Sequence, residues 1–268
     1  MSKSKDPLHS KSSQSLPAPF RLKPAEPDDL VMKSKVHVFG KHADIVCDTE
    51  SRGYKRNAAE LQLNASEGFI PLWREGSILR WRFQEQSMAR FESPTEAKEK
   101  IEELFSLALQ AWGDAAPVKF TKNDDAWDFQ IVIQDVERCN VMGCVLASAF
   151  FPDAGRHDLV IYPTLFKQDR AEQIETLIHE LGHVFGLRHW FAPQKETDNP
   201  SVPFGSQNPV SIMNYGRDSQ LTEDDKNDLK EIYSLAWSGK INQINGTVIR
   251  LVSPFHSLRE LPKNILFK

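Results

Sequence analysis

His179-Glu180-Leu181-Gly182-His183-Val184-Phe185-Gly186-Leu187-Arg188-His189 is the stretch that decides the fold of this 268-residue chain. His179 and His183 are four residues apart, so on a helix they leave the same face one turn apart and can bind one metal ion. Gly186 follows at the point where a glycine can turn left-handed, end the helix and send the chain back. That turn would bring His189 up as a third ligand. Three neutral imidazoles suit Zn²⁺ and leave one position for water, whose pKa the metal lowers to about 7. Glu180, beside the metal rather than on it, is the candidate general base. Requiring glycine at one more fixed place (roughly 7% by average usage) and histidine at another makes coincidence about five hundred times rarer than for the two-histidine pattern alone.

The surrounding residues agree with a helix. Ile174, Leu177, Ile178, Leu181 and Phe185 recur at three- and four-residue steps and form one apolar stripe. At 100° per residue, His179 and His183 fall on the opposite side, as ligands lining a cleft would. The helix is expected to begin near Asp169 or Arg170.

Upstream, residues 77–83 alternate apolar and basic side chains and read as a strand. Ser93, Pro94 and Glu96 then give an N-cap, a first-turn proline and a capping-box glutamate, followed by Ile101, Leu104, Phe105, Ala108 and Trp112 at helical spacing. Residues 118–121, 128–133, 144–151 and 159–162 read as further strands. Residues 190–209 read as an irregular loop. Thr222 with Glu223, Asp224 and Asp225 opens a last helix, closing near Trp237. The expected fold class is α+β, a twisted mixed β-sheet packed with the metal-site helix and a second helix, then an irregular C-terminal subdomain and the closing helix.

Composition sets broad limits. A hydrophobic content of 40% allows one substantial core, and a formal net charge of −4 gives no reason to expect nucleic acid or an anionic membrane as partner. No apolar run is long enough for a transmembrane segment. The first 29 residues, rich in Ser, Lys and Pro, lack the apolar core of a secretory signal, so the chain is expected to stay in the cell or leave by another route. The organisation predicted is a disordered segment 1–35, an N-terminal extension 36–76 that is a candidate pro-segment, a catalytic domain 77–237, and a tail 238–268 of unassigned role. Three cysteines are too few for a disulfide framework. Cys139 and Cys144 could close a small loop or, with His157, hold a second zinc; reduced thiols are the expected state. Asp153, His157 and Asp158 read as surface polar residues.

The extended zinc motif and the downstream stretch Ser211-Ile212-Met213-Asn214-Tyr215-Gly216 together resemble the metzincin superfamily of zinc endopeptidases. The resemblance implies a metzincin-type zincin fold with a Met-turn, in which Met213 forms a hydrophobic floor beneath His179, His183 and His189. It also implies zinc as cofactor, a peptide or protein as substrate, and Glu180 as the catalytic base. The helix over 93–112, the strands that follow it, Leu146-Ala147-Ser148-Ala149-Phe150-Phe151-Pro152 and the closing helix resemble matrixins. Tyr215, two places after Met213, is similar to a tyrosine in astacins and serralysins that stabilises the transition state, and the resemblance implies that role here. Trp190 departs from both groups, and the chain lacks the His-Gly-Asp segment that gives matrixins structural zinc ligands.

Three further residues are drawn in by the resemblance. Arg217 lies where metzincins shape the pocket for the residue after the scissile bond, and a solvated loop arginine is an equal alternative. Cys47-Asp48 could supply a latency group, although a buried thiol at a surface turn is the expected reading. On the latency reading, truncation before Ser77 raises activity. A reading from another class is a catalytically inactive, zinc-stabilised interaction protein with the same fold. The intact Glu180, which metal binding alone does not need, argues for turnover.

Overall fold

The computed structural model describes residues 16–23, 61–65, 68–140, 143–189, 201–205, 208, 210–214 and 219–260. In chain order the elements are β1 (Leu61–Asn64), β2 (Phe69–Trp73), β3 (Ile78–Phe83), α1 (Glu85–Met88), α2 (Pro94–Trp112), β4 (Lys119–Lys122) and β5 (Phe129–Ile133). There follow β6 (Arg138–Asn140), β7 (Gly143–Val145), β8 (Ala147–Ser148), β9 (His157–Ile161), α3 (Arg170–Val184), β10 (Leu187–Arg188) and β11 (Ser201–Phe204). The C-terminal part holds α4 (Glu223–Trp237), β12 (Gln243–Ile244), β13 (Thr247–Val252) and α5 (Phe255–Glu260).

The centre is a five-stranded sheet in the order β4-β3-β5-β9-β8. Its strands run parallel except β8, which is antiparallel to β9 with Ala147 opposite Ile161. Every residue of β5 is buried, the pattern of a parallel strand covered on both faces. Helices α2 and α3 pack together, tied by the Trp112 indole N–H donating to the Ile178 carbonyl at 2.9 Å. An α+β fold with a mixed sheet is thus what the periodicities predicted.

Local differences from the sequence reading have local causes. α2 starts at Pro94, but Ser93 makes no side-chain cap bond; its ψ of 76° departs from the extended backbone that aims a cap hydroxyl at the first-turn amides. The run 144–151 is not one strand. The chain leaves β6–β7 pairing at Val145 and resumes as β8 against β9, with the Leu146 carbonyl accepting from the Tyr162 amide at 2.9 Å. Cys139 and Cys144, expected as thiols, face each other across that hairpin and form a disulfide, so they do not supply thiolates to a metal.

Packing also reaches outside residues 77–237. Phe20, within the segment expected to be disordered, is buried, stacking on Phe166 at 3.9 Å and meeting Phe91 edge-on. The large apolar ring explains the order of residues 16–23, because a docked aromatic offsets the entropy of fixing a short segment. At the other end, β13 pairs in parallel with β2 from Phe69 to Trp73. His256 of α5 reaches back to Asp128, with both its backbone amide and its Nδ1 on the carboxylate at 2.9 and 2.7 Å. Among the described residues no helix is long and apolar enough to cross a membrane.

Candidate metal centre

Helix α3 carries the first two histidines, and both its ends are held. Asp169 caps the N-terminus by accepting the Glu172 amide at 3.0 Å. At the C-terminus the last turn tightens, with the Gly186 amide reaching the His183 carbonyl at 2.8 Å, and Gly186 turns the chain at φ 94°. A side chain there would also stand 3.3 Å from the Pro71 carbonyl, so close approach and backbone angle both call for glycine.

The carbonyls that a helix end leaves without partners are met by aromatic side chains from elsewhere. The Trp73 indole donates to Val184 O at 2.7 Å, and the Tyr233 hydroxyl donates to Phe185 O at 3.0 Å while accepting the Trp73 amide. Burial pushes the Tyr233 hydroxyl pKa upward, so it remains protonated and able to donate. Strand β2 and helix α4 therefore fix where the helix stops and, with that, where His189 can reach.

The apolar stripe lies in the core as predicted, with Leu177, Ile178, Leu181 and Phe185 buried and Ile174 packed against them. His179 and His183 leave the other side, yet that side is covered too. His183 is fully buried, with the Phe151 ring edge-on at 5.5 Å, and His179 is 9% exposed. His189 is buried as well. Their ligand atoms lie within 4.8 Å of one another, the one such group of three found among the described residues.

The hydrogen bonds determine what these rings can hold. His179 Nδ1 lies 2.7 Å from Ile212 O, and His183 Nδ1 lies 2.7 Å from Leu187 O. A carbonyl only accepts, so each Nδ1 carries the proton and each neutral ring has a bare lone pair on Nε2. Those two lone pairs face one another, His179 Nε2 lying 3.1 Å from His183 Nε2, and His189 Nε2 stands 3.2 Å from His179 Nε2. Without a cation between them this geometry is repulsive. Tetrahedral ligands at Zn–N distances of about 2.0–2.1 Å stand about 3.3 Å apart, so these two spacings fit zinc. Burial holds the His183 pKa well below the usual imidazole value, with His189 and His179 pushing the same way, which keeps it a neutral donor.

Residues of the predicted Met-turn pack against α3. Met213 is fully buried, and its sulfur stands where a β-carbon on Gly182 would be, 2.3 Å from that position. Gly182, to which sequence reasoning gave no role, is thus what lets Met213 lie against the helix between the two histidines. Glu180, on the helix next to His179, is 1% exposed. Tyr215, Trp190, Arg217 and Cys47-Asp48 lie outside the described residues.

Asp225 is the residue that sequence reasoning missed. It was read as part of an acidic first turn, and it does complete the α4 capping box with Thr222. The same buried carboxylate also accepts the Ser211 hydroxyl at 2.5 Å and the Ile212 amide at 3.4 Å. Ser211 Oγ in turn accepts the Met213 amide at 3.1 Å. One carboxylate thus anchors the turn whose Ile212 carbonyl orients His179. The only sequence signal was the position of Asp225 a short way after Met213.

Comparison with known proteins agrees with this geometry. Residues 73–234 match the matrixin family of peptidases. No curated protein matches the chain. Among solved structures, two of myroilysin are similar. One is 12% identical with a TM-score of 0.41, covering 68% of this chain and 90% of that one. The other is 13% identical with a TM-score of 0.42, covering 79% and 97%. The motifs alone left matrixin and astacin features side by side; the family match, which spans well over half of the chain, decides between them. The three-histidine site is of the kind that holds zinc in matrixins, and the chain belongs to the matrixin family of zinc metalloendopeptidases.

Proposed function

We propose that His179, His183 and His189 hold a catalytic zinc ion, that Glu180 is the general base, and that the substrate is an extended segment of a protein or peptide. The observation that carries this is the meeting of the proton-free Nε2 atoms of His179 and His183 at 3.1 Å, with His189 Nε2 3.2 Å from His179 Nε2. When bound, the ion lowers the pKa of a water molecule and polarises the peptide carbonyl. Glu180 takes the proton from the attacking water and returns it to the departing amine. Met213 supports the histidines from below, and Tyr215 donates to the oxyanion of the tetrahedral intermediate.

The sheet supports a route to the site. β8 is the last strand of the five, and its chain continues to Phe151, whose ring touches His183. A peptide added as a strand along that edge would run toward the histidines, its main chain hydrogen-bonded whatever its sequence. The formal net charge of −4 favours no polyanion, so nucleic acid is not among the proposed substrates.

Glu180→Gln tests the assignment. The variant should bind one zinc per chain with the parent's affinity and cleave an unfolded protein substrate at least a thousandfold more slowly. Undiminished cleavage would remove Glu180 from the mechanism, and loss of zinc with loss of cleavage would make it a structural residue.

A further inference from the structure

Strand β1 lies before the family-matched residues 73–234, in the extension read from sequence as a candidate pro-segment. It is the middle strand of a sheet ordered β10-β1-β11 and pairs antiparallel with both neighbours. Leu63 stands opposite Leu187 and Gln62 opposite Arg188, the two residues immediately before the third histidine. In that sheet β10 has β1 as its one partner. Leu63, Leu187, Arg188 and His189 are all fully buried. The Leu187 carbonyl is the acceptor for His183 Nδ1, so the pairing that sets Leu187 bears on two of the three histidines.

A two-residue strand has little power to hold its own course; its position comes from the strand beside it. We infer that β1 is a permanent positioning element of the metal centre, the strand that holds Leu187–Arg188 and through them aims His189 and His183. The inference rests on the zinc reading above. It makes residues 61–65 a working part of the mature peptidase, so a cut at Ser77 removes support from the site rather than unmasking it.

Positioning is reciprocal: if β1 steadies the ligands, a metal bound to the ligands steadies β1 to the same degree. Hydrogen exchange of the full chain, with and without one equivalent of zinc, reads this without reference to activity. Zinc should slow exchange at 61–64 and at 187–188 together, at least tenfold more than at β4, 119–122, on the far edge of the central sheet. Slowing at 179–189 but not at 61–64, or equal slowing throughout, overturns the inference and leaves the zinc site standing. No slowing anywhere means that no metal is bound, and both fall.

A matched pair of variants supplies the second readout. Leu63→Ala and Leu159→Ala each truncate a fully buried leucine, the first in β1 and the second in β9. Both should lower the thermal midpoint. Only Leu63→Ala should weaken zinc binding, by about tenfold in chelator competition, the size of effect seen when groups that orient metal ligands are lost. Equal zinc affinity in the two variants would reduce β1 to ordinary packing.

Discussion

Asp225→Ala is the perturbation that most directly probes how the Met-turn is held. The carboxylate, 3% exposed, completes the α4 cap and binds Ser211 and Ile212, so its removal has two separable effects. Loss of a capping box costs about 1 kcal/mol. The Ser211 hydroxyl and Ile212 amide are left in a buried place without their acceptor, at about 1–3 kcal/mol each. The total expected is about 3–7 kcal/mol, a fall in thermal midpoint of about 6–21 °C at roughly 2–3 °C per kcal/mol for a domain of this size. Thr222→Ala is the control: it removes the cap and a long hydrogen bond from Asn208 but leaves the Asp225 carboxylate on Ser211 and Ile212, and should cost about 1 kcal/mol. Because Ile212 O accepts from His179 Nδ1, Asp225→Ala should also weaken zinc binding by about tenfold, whereas Thr222→Ala should leave it unchanged. Chemical denaturation of the metal-free proteins and chelator competition measure the two effects. If Asp225→Ala costs no more than Thr222→Ala and keeps the parent's zinc affinity, the carboxylate is a helix cap and nothing more.

Other outcomes follow from single contacts. Tyr233→Phe deletes the hydroxyl shared by Phe185 O and the Trp73 amide and should lower stability by about 1–3 kcal/mol, read by denaturant titration; an unchanged midpoint would show that α4 does not anchor the end of α3. Gly182→Ala places a methyl 2.3 Å from the Met213 sulfur, so it should destabilise by about 1–3 kcal/mol despite the better helix propensity of alanine, and Met213→Ala should relieve part of that loss in a double-mutant cycle. Burial first, then the neighbouring Glu175 and Asp169 charges, raise the Glu172 pKa in the fold. The folded state therefore binds that proton more tightly than the unfolded chain, and the group's contribution to stability falls as pH rises from 4.5 through the raised value. Glu172→Gln should accordingly be more stable than the parent at pH 7 and equal to it below pH 4 in thermal melts; a constant difference across that range would point to a cause other than ionisation.

Much of the site was legible because helix geometry is local. The four-residue spacing of His179 and His183, the helix start near Asp169 and the Gly186 turn each depend on neighbours within a few positions, and all are in place. Strands with clear alternation or β-branched runs, such as 77–83 and 128–133, were likewise placed within a residue of their ends. Reading failed where partners are distant. Nothing near Leu146 in the chain says that it changes partner strands, and nothing near Cys139 says whether Cys144 will be folded against it. The tail was unreadable alone because its order comes from β2 and from Asp128, 128 residues before His256.

By itself the sequence determined the chemistry this protein can do: which residues project together from one helix, where that helix ends, and which donor set is offered to a metal. Those are consequences of backbone periodicity, which acts over a turn or two. The tertiary structure alone decided how the donors are presented. The carbonyl of Ile212, 33 residues from His179, selects the tautomer that frees its Nε2, and a carboxylate on α4 holds that carbonyl in place. A strand from the N-terminal extension sets the course of Leu187–Arg188 before His189. Such contacts are made only when the chain packs, because a hydrogen bond between remote residues must offset the entropy of closing the loop between them, and the buried core does that collectively.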